Sequence, residues 1–347
     1  MATILAIETS CDDTSVAIVN DRQIYSNIVA NQNELHNYYG GIVPEIASRE
    51  HLLHINYCID QALQVAKLNW SEIDGIAATV APGLVGALMV GETAAKTLSM
   101  IHEKPFLGIH HLEGHIYANY LCENDLKPPF LCLLVSGGHT SIIHVKSYGI
   151  YEELGATHDD AAGEAFDKVA RLLDLGYPGG PIIDKLATMG DPKKFSLPEG
   201  RISLPQGGYH PYDSSFSGLK TAVLRLVEKF KKEQGVDLPV ADIAASFQET
   251  IVRSLTKKTI RCAMDYDINN IAIGGGVAAN SCLRNYLTEA ASKNNLKVYY
   301  PPLELCTDNA AMIACAAADH LTRGHISSWS LEVQSRLKIS EATKLYK

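Results

Sequence analysis

The chain has 347 residues, 46% of them hydrophobic and 20% charged, with a formal net charge of −9. That length supplies two domains with substantial cores, and the composition is that of an ordinary soluble globular protein. The acidic balance argues against a globally basic nucleic-acid binder, so contact with a nucleic acid has to come from a local patch or a partner. No run of apolar residues is long enough to span a membrane.

The N-terminus, MATILAIETSCDDTS, enters a strand at once, without the basic and apolar regions of a signal peptide. The eight cysteines are irregularly spaced and form no C-x-x-C. Both features fit free thiols in a reducing cytosol, so a cytoplasmic location is expected.

In chain order, TILAIETSCDDTSVAIV (3–19) predicts a strand–turn–strand hairpin whose turn carries Glu8, Asp12 and Asp13. IDGIAATVAPGLVGALMVGETAAKTL (73–98) predicts a strand, a Pro-Gly turn and an Ala-rich helix. PFLCLLVSGGHTSIIHV (129–145) repeats the hairpin plan around a Ser-Gly-Gly turn, and INNIAIGGGVAANSCLRNYL (268–287) repeats the strand–turn–helix plan. The order hairpin, then strand–turn–helix, thus occurs twice, a duplication visible in plan more than in identity. It predicts two α/β lobes of like topology on either side of a cleft lined by the glycine turns.

Between these repeats, DDAAGEAFDKVARLLDL (159–175) predicts a helix with an acidic first turn, ended by YPGGP (177–181). Residues 190–216 read as a long Pro-, Gly- and Ser-containing loop, and 241–266 as one long amphipathic helix. The chain beyond about residue 326 reads as a polar, loosely held tail.

Three groups of residues can carry chemistry. In HHLEGH (110–115), His111 and His115 stand four apart, so on a helix both imidazoles reach one metal. The segment falls short of the zinc-peptidase signature. Leu112 stands where the general-base Glu should follow the first His, Glu113 lies on another face, and Gly114 weakens the helix. SGGHT (136–140) and IGGGVAANS (273–281) are phosphate-type glycine turns, the second leading into a helix. Neither is a Walker A loop, because no Gly-Lys-Ser/Thr follows. Asp12 and Asp13 lie in the first hairpin turn, Asp167 and Asp184 flank YPGGP, and Asp308 precedes a predicted helix. Several acids together with two phosphate-type turns fit a nucleotide–metal cleft, although any one of them could be a helix cap or a solvated charge.

Taken together, these residues resemble the two-lobed actin, hexokinase and Hsp70 (ASKHA) superfamily. More closely, the chain resembles the TsaD family of tRNA N6-adenosine threonylcarbamoyltransferases. The matching stretches are IETSCDDTS, GGIVPEIASREH, APGLVGALMVG, HHLEGHIYA, LLVSGGHT, DDAAGEAFDKVARLLDLGYPGGP, FSGLKTA, IGGGVAANS and PPLELCTDNAAMIA, in order from residue 7 to about 314. The tail, without a kinase fusion, fits a bacterial or organellar member.

The resemblance implies a duplicated α/β fold around a nucleotide cleft. One lobe would take 1–110, rejoined by about 305–330, and the other 111–304 with a helical insertion, leaving 331–347 as a tail. It implies transfer of a threonylcarbamoyl group from threonylcarbamoyl-AMP to N6 of the adenosine 3′ of the anticodon in tRNAs reading codons that begin with A. His111, His115 and Asp308 would hold one divalent metal, iron in the family, with zinc or magnesium as substitutes. Leu134, Val135, Ser136, Gly137 and Gly138 would contact the donor's phosphate and acyl region. Asp167, Gly180, Asp184 and Asn280 would hold its adenosine or threonyl portions, and Asp12 and Asp13 would be acids near the reaction. The implied partners are tRNA, an inactive paralogue (TsaB) and a small P-loop ATPase (TsaE), with a homodimer or heterodimer as the assembly. Candidate tRNA contacts are Lys193, Lys194 and KFKK (229–232), and the Ala-rich helices around 87–98 and 241–263 are candidate dimer faces. An ATP-dependent phosphotransferase of the same fold, an inactive paralogue and a metallopeptidase are the rival readings.

Overall fold

The computed structural model describes residues 2–122, 125–233 and 237–347. Contacts divide the chain into a first unit, Met1–Leu126 with Ser147–Glu152 and Pro301–Lys347, and a second, Lys127–Lys146 with Glu153–Tyr300.

The first unit opens with three strands, β1 (Thr3–Glu8), β2 (Thr14–Asn20) and β3 (Gln23–Ala30). Helices α1 (Asn33–Tyr39) and α2 (Pro44–Ala66), strand β4 (Gly75–Ala81), helix α3 (Val85–Ile101), strand β5 (Phe106–His110) and helix α4 (His111–Tyr117) follow. The five strands form one sheet in the order β3-β2-β1-β4-β5. β1 pairs antiparallel with β2, from Thr3 opposite Asn20 to Glu8 opposite Ser15, and parallel with β4. All six residues of β1 are buried, as expected of a central strand covered on both faces. Leu5, Ile7, Val16, Ile18, Ile76 and Val80 form one core cluster with Ile55, Cys58 and Ala62 of α2 and Ala95 of α3. The intervening Ile4, Ala6, Ala17 and Ala77 are equally buried.

The second unit repeats this plan. Strands β6 (Phe130–Val135), β7 (Thr140–Ser147) and β8 (Ile150–Ala156) lead into helices α5 (Ala162–Leu172), α6 (Gly179–Ala187), α7 (Ser217–Lys232) and α8 (Val240–Asp265). Strand β9 (Asn270–Gly274), helix α9 (Ser281–Lys293) and strand β10 (Lys297–Tyr299) complete it. The sheet order is β8-β7-β6-β9-β10, the same as in the first unit with each strand replaced by its counterpart. β6 pairs antiparallel with β7 and parallel with β9, as β1 does with β2 and β4. The duplication read from the sequence is therefore present strand by strand. α8 is buried along most of its length, and its Phe247 meets Phe166 of α5 edge-on at 5.2 Å.

The chain returns to the first unit as α10 (Ala310–Thr322), which contacts β1, β2, β4, β5 and α4. Ten of its thirteen residues are buried, and its alanines let it lie close to those neighbours.

Three expectations change. α4, expected at the head of the second lobe, belongs by its contacts to the first, because it packs against α10. The acids Asp159 and Asp160 precede α5 instead of forming its first turn. Asp159 accepts hydrogen bonds from the Ser215 and Ser217 hydroxyls and the Phe216 amide, and Asp160 pairs with Lys168 at 2.7 Å. The start of α7 thus takes the carboxylate of Asp159.

The segment 331–347, expected as a loose tail, is packed. Ile339 and Leu345 are buried, Leu331, Val333 and Leu337 line the core of the first unit, and the Ser327 hydroxyl donates to Leu345 O at 2.7 Å. Residues Ile339–Leu345 form a short 3-10 helix whose buried face is Ile339, Ala342 and Leu345, a three-residue period that the sequence reading did not use. Leu345→Ala is therefore expected to lower the stability to urea by about 2 kcal/mol. A urea midpoint equal to that of the parent chain would mean that the tail is not part of the core.

Candidate functional site

In the first unit, α4 starts directly at the end of β5. His110 caps it, its Nδ1 accepting the Leu112 amide at 3.2 Å. The four-residue spacing sets His111 and His115 on one face, with ring centroids 4.7 Å apart. Asp308 lies one residue before Asn309, which caps α10 by accepting the Met312 amide at 3.1 Å. Asp308 Oδ1 is 3.5 Å from His111 Nε2 and 3.2 Å from His115 Nε2. One ligand atom from each of the three lies within 4.8 Å of the others.

The surroundings aim these atoms inward. His111 Nδ1 is 3.1 Å from both Glu8 Oε2 and the Ser10 hydroxyl, which directs Nε2 toward Asp308. Glu8 is fully buried and also accepts from the Ser10 amide and the Thr79 hydroxyl. His115 is fully buried; its Nε2 lies 3.2 Å from Asp308 Oδ1, and its Nδ1 has no hydrogen-bond partner. A buried ring nitrogen without a partner is costly unless something else satisfies it.

Charge points the same way. Burial drives the Asp13 carboxyl up to about 8, with repulsion from Asp308, Asp12 and Glu8 adding to it. Asp12 is raised by burial and by Asp308. Burial disfavours the charged form of His111, but Asp308 and Glu8 outweigh it and raise that ring to about 9. Two imidazoles among four crowded carboxylates form a pocket that favours a cation. Two ring nitrogens with one carboxylate oxygen are a fitting donor set for a divalent transition metal. Asp12 and Asp13 are thus brought within electrostatic reach of the trio.

Glu113 is not the free base a zinc peptidase needs. It is fully buried, and its oxygens accept from Tyr151, His320 and Tyr346. Gly114 has a packing reason that sequence reading missed. A Cβ there would stand 2.6 Å from Ile313 Cδ1 and 3.1 Å from Met312 Cγ of α10.

In the second unit the Ser-Gly-Gly turn closes β6 on β7. Leu134 and Val135 are buried, the Ser136 amide donates to His139 O at 2.8 Å, and the Ser136 hydroxyl accepts the His139 amide at 3.1 Å. The Ser136 amide is therefore occupied, and Gly137 and Gly138 are the exposed positions, with open space where a side chain would stand. Neither glycine has positive φ, so left-handed backbone is not their reason.

Two other glycines shape this turn. A Cβ on Gly163 would come within 2.6 Å of Ser136 O. One on Gly275, at φ +91°, would come within 2.3 Å of Val135 O. Both stand in motifs that the sequence reading quoted without giving them this role.

Asp167, on α5, accepts the Gly179 amide at 2.8 Å, and Gly180 faces open space at the start of α6. Asp184 accepts the Ser281 amide and hydroxyl, each at 3.0 Å. Asn280 caps α9 by accepting the Leu283 amide at 2.9 Å and donates to Gln248 at 2.8 Å. Asp184 and Asn280 thus meet at the N-terminus of α9, and Asp167 and Gly180 at that of α6.

The sequence model of the TsaD family, tRNA N6-adenosine threonylcarbamoyltransferase, matches residues 23–315. The chain belongs to the TsaD family. A relative from Crocosphaera subtropica is 76% identical over 346 residues, and one from Gloeothece citriformis 72%, with all of each chain covered in both cases. Both carry the name tRNA N6-adenosine threonylcarbamoyltransferase.

Among solved structures, HypF from T. kodakarensis aligns with a TM-score of 0.61 at 14% identity, over 93% of this chain and 48% of that one. This chain therefore spans about half the length of HypF. An activator of 2-hydroxyisocaproyl-CoA dehydratase from Clostridium difficile, solved with bound ADPNP, aligns with a TM-score of 0.50 at 13% identity, over 95% and 99% of the two chains. At these identities the likeness is one of fold, the duplicated α/β fold of the actin and hexokinase type. For this TsaD-family chain, Gly114→Ala is expected to cost about 1–3 kcal/mol through the clash with α10. Chemical denaturation measures it, and an unchanged midpoint would mean that α4 and α10 can separate freely.

Proposed function

We propose that this acyltransferase moves the threonylcarbamoyl group of threonylcarbamoyl-AMP to N6 of the adenosine 3′ of the anticodon in tRNAs reading codons that begin with A, releasing AMP. The observation that carries the reading is a family match over residues 23–315 that contains, with Asp308, an intact His–His–Asp trio.

The N6 amine is a weak nucleophile because its lone pair is delocalised into the purine ring, so the carbonyl it attacks must be strongly activated. His111, His115 and Asp308 hold one divalent metal, for which we propose ferrous iron, with zinc or magnesium able to substitute. When bound, the metal supplies Lewis-acid stabilisation of charge developing on the donor. The backbone amides of Gly137 and Gly138 donate to the donor's phosphate, in the turn shaped by Leu134, Val135 and Ser136. Asp167, Gly180, Asp184 and Asn280 contact its nucleoside and threonyl portions. Asp12 and Asp13 are the acids we place beside the reaction.

For tRNA, the candidate contacts are lysines of the second unit, although the chain as a whole is acidic. Phe195 meets Phe230 edge-on at 6.0 Å, joining the segment of the exposed Lys193 and Lys194 to the end of α7 with its exposed Lys229, Lys231 and Lys232, of which Lys229 pairs with Glu233. A paralogue of the same fold (TsaB) and a small P-loop ATPase (TsaE) are the proposed partners, in the cytoplasm. Of the two candidate dimer helices, α8 is largely buried, whereas α3 keeps Val85, Met89, Met100 and Ile101 exposed. We therefore place the partner face on α3.

With supplied threonylcarbamoyl-adenylate and the partners present, labelled threonine should enter unmodified tRNA, and His111→Ala should abolish this. No label, with partners that support another family member, would overturn the reading in favour of a phosphotransferase or an inactive paralogue. Binding of tRNA to the chain alone should be weak and fall steeply with salt. The double change Lys193→Ala and Lys194→Ala should reduce the slope of log affinity against log salt by about two. Tight, salt-insensitive binding would contradict it.

A further inference from the structure

Glu113 lies on α4 between the two histidines, and its side chain is fully buried. Oε1 accepts from the Tyr151 hydroxyl at 2.6 Å and from His320 Nε2 at 3.1 Å, and Oε2 accepts from the Tyr346 hydroxyl at 3.0 Å. The three donors come from the segment Ser147–Glu152, from α10 and from the C-terminal segment, all in the first unit. The Tyr346 ring stacks on His320 with centroids 3.9 Å apart. The same C-terminal segment reaches α4 a second time, where His110 Nε2 is 3.0 Å from Leu337 O.

These contacts bear on the trio because its members lie on two elements. His111 and His115 are on α4, and Asp308 is on the lead into α10. Glu113 and His320 join α4 to α10 through a buried hydrogen bond, and Gly114 brings the two helices within direct contact of each other. A metal centre tolerates ligand displacements of only about 0.2 Å, so the spacing of these helices has to be held closely. A buried carboxylate left short of a donor is costly enough to shift the element that carries it.

We infer that Glu113 is a positioning residue for the His111–His115–Asp308 centre, and that Tyr346 of the C-terminal segment completes it. The inference rests on the metal-binding reading above. It extends the site beyond the family match, which ends at residue 315 and so excludes His320 and Tyr346.

The test is a Co(II) titration of the full chain followed by visible absorption, with thermal midpoints measured in parallel. Tyr346→Phe keeps the stacked ring and removes only the hydroxyl, so it decides the matter even if Glu113→Gln fails to fold. Glu113→Gln should weaken Co(II) binding roughly tenfold, the lower end of outer-shell effects, and Tyr346→Phe, which removes one of its three donors, by a smaller factor of about three. Ile18→Val, in the sheet core, should lower the midpoint and leave the affinity unchanged. If Tyr346→Phe and any folded Glu113→Gln bind Co(II) as the parent does, whatever their midpoints, the positioning role is wrong. If the parent chain binds no better than His111→Ala, the metal reading itself falls, and this inference with it.

Discussion

The first unit depends on the close approach of α4 to α10. The approach needs a small residue on α4: Gly114 leaves the room that the Ile313 and Met312 side chains of α10 fill. The approach sets two histidines opposite an aspartate. It also buries a carboxylate, Glu113, which would be destabilising without its three donors. Packing and the candidate metal chemistry are therefore one structural problem here. A change that enlarges Gly114 or removes a donor acts on both.

The second unit solves a similar problem with backbone. Its turn after β6 is shaped by Gly163 and Gly275, which approach Ser136 O and Val135 O more closely than any side chain would allow. The glycines that face open space, Gly137 and Gly138, are different ones from those that permit the packing. Asp184 and Asn280 show a related economy. Both are engaged at the N-terminus of α9, so residues assigned to substrate also hold the helix end that presents them.

Much of this was legible because it is local. Buried runs such as TILAIE and FLCLLV define central strands, and the polar turns after them define hairpins. The four-residue step from His111 to His115 places two rings on one face whatever the rest of the chain does. The family motifs, matched in order, supplied Asp308 as their companion, which no spacing rule could have done across nearly two hundred residues.

The sequence by itself determined six of the ten described strands, the helices α3, α5, α8 and α9, the internal duplication, the histidine pair and the family. Each of these rests on short-range periodicity or on motifs read as units. Only the tertiary structure decided what Glu113, Gly114, Gly163, Gly275 and the C-terminal segment are for. Their roles are set by neighbours distant in sequence: Glu113 meets Tyr346, and Leu345 enters a core built from the first strands. Hydrogen-bond partners and steric close approach depend on where the chain returns in space, and no local pattern records that.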